Sequence, residues 1–262
     1  MPKQTRIKSI LLLTGSFTFA FLLGEVVHDS GHYLCHKVYG NAEVWVHLDP
    51  FGGTCIIGAD DLPAEVLAVT SLAGPLTNVA LGLVGLFLLW WKRRPILLPL
   101  LLWGPVAMIQ EGVTFSLGLL TPGGDAQWIT TLGVPGFLLL VMGVLLLVGG
   151  IAMVALLLPL AGVEYDLSPR GKLFIVLVSM CSLMLVRCVH SLMIVPKSPM
   201  ENLIPMILSL LLAALVVMVL PFIIRVAGKV FIIETMPVSW LVSIFALIAG
   251  VSLFAFQIIA FN

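Results

Sequence analysis

Residues 24–36 read GEVVHDSGHYLCH and continue, without a break signal, the apolar run ILLLTGSFTFAFLL at 10–23. The run is long enough to begin a bilayer-spanning helix, yet its second half carries Glu25, His28, Asp29, His32 and His36. At about 100° per residue all five fall within an arc of roughly 100° on one helix face. Ionisable groups are costly inside a membrane and mark a functional site there.

The composition sets the environment of that helix. The chain has 262 residues, of which 60% are hydrophobic and 10% charged, and its mean hydropathy is +1.17. No soluble core could hide so much apolar surface, so the sequence predicts an integral, multi-pass protein of the lipid bilayer. The formal net charge is zero, which leaves no electrostatic footprint for nucleic acid. Cys35, Cys55, Cys181 and Cys188 lack CxxC spacing and read as buried free thiols.

Windows of about 20 apolar residues predict an all-α fold of about seven transmembrane helices, over 9–39, 64–91, 97–120, 134–161, 172–195, 203–227 and 238–261. Between the first two, NAEVWVHLDPFGGTCIIGADDLP at 41–63 reads as a small β-hairpin around Pro50 and Gly52-Gly53. Lysine and arginine cluster before the first span and after the second, fourth and sixth. They predict a cytoplasmic N-terminus, and with it a layer toward the outer face where His28, His32, Asn78 and the TPGGD turn (121–125) meet.

Histidines at i and i+4 present their nitrogens about one turn apart, the spacing from which a single helix serves a tetrahedral zinc ion. A third ligand is available in LLTPGGDAQWI, where Pro122 and two glycines interrupt the third span and let Asp125 turn inward. His28, His32 and Asp125 would leave one coordination position open, as in catalytic rather than structural zinc sites.

HDSGH (28–32), the segment with PFGG (50–53), AGPLTN (73–78) and TPGGD (121–125) stand in an order that resembles the site-2-type intramembrane zinc metalloproteases. The resemblance covers roughly residues 20–130. It implies a metal-binding membrane core of three helices and a hairpin over 1–133, with further helices over 134–262. It also implies Zn2+ held by His28, His32 and Asp125, and a general base at Asp29. Asn78, Gly52 and Gly53 would take part in substrate binding, and the partner would be a transmembrane segment of another protein. The expected reaction is cleavage of a peptide bond in or next to that segment.

One position departs from the pattern, because Asp29 stands where the family has glutamate. The shorter side chain leaves three expectations open: an enzyme with a readjusted helix, one that borrows Glu25 or Glu111, or a pseudoprotease that binds membrane segments without cutting them. His36, two turns beyond His28, reads as a solvated end residue. Glu111 and Arg187 pair with each other or line a substrate path. Five histidines are too few for a membrane di-iron oxygenase.

Overall fold

In the computed structural model the described residues are 3–40, 44–47, 54–57, 62–118, 125–164, 167–180, 207, 211, 214–219, 221 and 235–261. They form helix α1 (Lys3–Val38), strands β1 (Val44–His47) and β2 (Thr54–Ile57), and helices α2 (Ala64–Leu89), α3 (Leu98–Leu117), α4 (Asp125–Thr131) and α5 (Gly136–Leu157). A C-terminal helix, Trp240–Phe261, follows, and residues 169–180 are also helical.

Five helical segments are long and apolar enough to cross a membrane: Lys3–Val38, Ala64–Lys92, Pro95–Ser116, Gly136–Ala161 and Trp240–Ile259. They coincide with five of the expected windows. The windows at 172–195 and 203–227 fall mostly outside the described residues, as do Cys181, Cys188, Arg187 and His190. Leu81, Val84, Phe87 and Leu88 of α2 and Phe137, Leu145 and Val148 of α5 are exposed, whereas Asp29, His32, Asn78 and Glu111 are buried. Apolar side chains outside and polar ones inside suit an integral membrane protein, where a polar group facing lipid would go unsatisfied.

β1 and β2 pair antiparallel in the register Val44↔Ile57 to His47↔Thr54. The expected turn with Gly52 and Gly53 lies outside the described residues.

The chain divides into two compact units, to which several helices contribute different portions. The first comprises residues 1–19, 89–102 and 151–252. Small residues let α1 and the C-terminal helix touch there: a Cβ on Gly15 would collide with the backbone of Ala246 and Leu247, and one on Gly250 would lie 2.9 Å from the Gly15 carbonyl oxygen. Hydroxyl bonds fasten the same portion of α1, from Ser243 to the Lys8 carbonyl at 3.0 Å and from Ser179 to the Ile10 carbonyl at 3.3 Å. α5 ends in a 3-10 turn, Leu158–Ala161, closed by Gly162 at φ +76°, a left-handed conformation that glycine adopts without steric cost.

The second unit comprises residues 20–88, 103–150 and 253–262 and contains every ionisable residue of the candidate site. α2 and α3 meet backbone to backbone at Gly82 and Gly104, where a Cβ on Gly104 would lie 2.6 Å from the Gly82 carbonyl oxygen. α3 and α5 meet likewise at Gly112 and Gly143. Phe115, Ala126, Ile129 and Leu139 form a buried cluster with Leu72 and Met142 against it. That cluster anchors the seven-residue α4 and so places Asp125, its first residue.

Candidate metal centre

Nε2 of His28, Nε2 of His32 and Oδ2 of Asp125 converge. The two nitrogens are 2.9 Å apart, and the Asp125 oxygen lies 3.3 Å from the first and 3.6 Å from the second. Zinc with bonds of about 2.0–2.1 Å in tetrahedral geometry needs donors separated by about 3.3–3.4 Å. The observed triangle brackets that edge length, so three corners of such a site are in place among the described residues. One helix supplies two corners through its one-turn repeat, and α4 brings the third across 93 positions of sequence, from residue 32 to residue 125.

Hydrogen bonds on the far side of each ring decide what the converging nitrogens carry. Nδ1 of His32 lies 2.6 Å from the backbone carbonyl of Thr70; a carbonyl oxygen only accepts, so Nδ1 holds the proton and donates. Nδ1 of His28 lies 2.9 Å from Oε1 of Glu111, a carboxylate that accepts in the same way. In the neutral rings both Nε2 atoms therefore present lone pairs toward each other and toward the Asp125 oxygen. Three electron-rich atoms packed this closely repel unless a cation lies among them. The donor set fits a divalent ion in both its distances and its tautomers.

Asp125 completes the electrostatics. Burial opposes its ionisation, but when His28 and His32 carry a proton on Nε2 their hydrogen bonds and charge prevail and hold its carboxyl well below the usual carboxylate range. The site is not sealed: the side chains of His28 and Asp125 are 17% and 23% exposed.

The structure places Asp29 at 1% exposure with Oδ2 lacking any hydrogen-bond partner, and Asp29 is not one of the three converging ligands. Asn78 is fully buried and donates from Nδ2 to Oε1 of Glu111 at 2.7 Å, while its Oδ1 accepts from the Trp103 indole at 3.1 Å. Glu25 accepts from Gln110 at 2.8 Å. His36 is buried rather than solvated, and its Nδ1 has no hydrogen-bond partner. Trp103, Gln110 and the Thr70 carbonyl carry no signal in the sequence, and Glu111 carries one only as an ionisable residue inside a span.

No family model matches the chain, and neither does any curated protein or solved structure.

Proposed function

We propose that the protein is an intramembrane zinc metallopeptidase of the site-2 type, cutting a peptide bond in or next to a transmembrane segment of another protein. The observation that carries this reading is the convergence of His28, His32 and Asp125 within 4.8 Å of one another on and beside a membrane-spanning helix. When bound, zinc would supply Lewis acidity toward a carbonyl and acidify a water. His28, His32 and Asp125 would hold the ion, Asp125 supplying negative charge.

Asp29 is the adjacent carboxylate to which the reading gives proton transfer during hydrolysis. The antiparallel pair β1–β2 offers extended backbone of the kind that can receive an unwound strand, with Gly52, Gly53 and Asn78 assigned to the substrate side by the resemblance alone. The lysine and arginine clusters support a cytoplasmic N-terminus.

A second reading, a pseudoprotease that holds a transmembrane segment without cutting it, draws on one observation. Asp29 is a methylene shorter than the glutamate of the resembled pattern and is not among the converging groups. The test is metal content of the detergent-purified chain, followed by cleavage of single-span substrates in vesicles. About one zinc per wild-type chain is expected, with none in His28→Ala or Asp125→Ala, and with cleavage stopped by a zinc chelator. A wild-type chain without metal overturns both readings, and a zinc-loaded chain that cuts nothing leaves the second.

A further inference from the structure

We infer that Glu111 is a positioning residue of this centre: it fixes which nitrogen of His28 faces the ion, and Asn78 and Trp103 fix Glu111 in turn. The inference rests on the metal-binding reading and goes beyond it, since Glu111 touches no converging atom itself.

Donor directions carry the argument. An indole N–H can only donate, so the 3.1 Å bond from Trp103 to Asn78 assigns the oxygen of that amide to the Trp103 side. The amide nitrogen is thereby turned toward Glu111, whose Oε1 accepts it at 2.7 Å. The same Oε1 has one lone pair left, and the His28 Nδ1–H fills it at 2.9 Å. The donors converge on Glu111 of α3, Trp103 by way of Asn78 of α2 on one side and His28 of α1 on the other, which leaves Nε2 of His28 without a proton and aimed at His32 and Asp125. Asn78 is fully buried and Glu111 is 2% exposed, so the acceptor that fixes the His28 ring is itself held inside the protein.

Charge gives a second, independent reason. The His28 ring contacts two carboxylates, Glu111 through Nδ1 and Asp125 through Nε2. Two neutral imidazoles and two carboxylates balance a divalent cation. Oε2 of Glu111 is buried with no hydrogen-bond partner, a cost that a cation on the other side of the same ring offsets. Glu111 would thus supply orientation and compensating charge together.

The decisive variant is Glu111→Gln, which keeps the shape and an accepting oxygen but removes the charge. Zinc affinity, measured by competition with a chromophoric chelator, is expected to fall roughly 10-fold to 100-fold. The visible spectrum of the cobalt-substituted protein is expected to shift, while the metal-free protein unfolds at the wild-type temperature. Trp103→Phe removes only the indole donor and is expected to give a smaller loss of affinity in the same direction, with the same kind of cobalt shift. Should Glu111→Gln fail to fold, Trp103→Phe carries the test.

Wild-type affinity together with a wild-type cobalt spectrum in whichever of these variants folds overturns the inference. If the wild-type chain takes up neither zinc nor cobalt, the functional reading itself fails, an outcome separate from metal binding that ignores Glu111.

Discussion

Gly74 of α2 lies directly against the imidazole of His32: a Cβ on it would collide with Nε2 and approach Cε1 to 2.6 Å and Cδ2 to 2.8 Å. The ring cannot retreat cheaply, because its Nδ1 is tied to the Thr70 carbonyl one turn earlier on the same helix. Gly74→Ala is therefore expected to push the ring off the converging triangle. Zinc affinity should fall by at least roughly 10-fold, and overpacking should cost about 1–3 kcal/mol of stability. Chelator competition on the purified variant reads the first effect and thermal unfolding the second; unchanged zinc affinity would show that α2 shifts as a body instead.

Gly24 faces the same polar layer from α1, with a different outcome. A Cβ there would meet Gln110 Oε1 at 2.5 Å and the Asn78 amide at 3.3 and 3.4 Å. The nearest atom is the end of a flexible side chain that can swing away, giving up its bond to Glu25, and Asn78 need yield only slightly. Gly24→Ala is expected to destabilise the protein by about 1 kcal/mol and to leave zinc affinity well above that of Gly74→Ala. The reverse ranking in a side-by-side titration would mean that Asn78 is less firmly held than its two hydrogen bonds imply.

What the sequence makes legible follows from how local each signal is. Span positions depend on hydropathy over about 20 residues, and the described helices coincide with those windows. The pairing of His28 with His32 depends on the helical repeat alone, and Asp125 stands out because glycines and a proline precede it. The partners of Glu111 depend on how α1, α2 and α3 are rotated about their axes, which glycine contacts such as Gly82 on Gly104 decide and no local pattern records. The same holds for Trp103: tryptophans near span ends suit the interfacial belt, but this one lies within α3 and its acceptor is on α2. The burial of His36 has no local signature, because a helix end looks solvated until its neighbours are known.

Asp29 separates the two functional readings. Asparagine is nearly isosteric, and Asp29 is not among the converging ligands, so Asp29→Asn is expected to retain its zinc. If Asp29 transfers the proton, cleavage should fall on the order of 10²-fold to 10⁴-fold, measured as product per hour from a single-span substrate in vesicles. Asp29→Glu provides the complement, because the longer side chain should raise cleavage in a chain whose wild-type carboxylate is too short. Cleavage undiminished in Asp29→Asn would take Asp29 out of the reaction.

Acid should release the metal, and the direction follows from which ligands bind protons. The Asp125 carboxyl is held below the ordinary carboxylate range by His28 and His32. Its stabilising contribution is present above about pH 3.9, the ordinary aspartate value, and is lost only as pH falls below that. Asp125 therefore stays ionised between pH 7 and 5 and does not compete. The two imidazoles do compete, because each must present an unprotonated Nε2 to the ion. Zinc affinity is expected to fall as the solution is acidified, with a slope approaching two protons per metal at the acid end, or about 100-fold per pH unit. A slope of one would leave a single histidine in the ligand set, and affinity that does not change across this range would remove both.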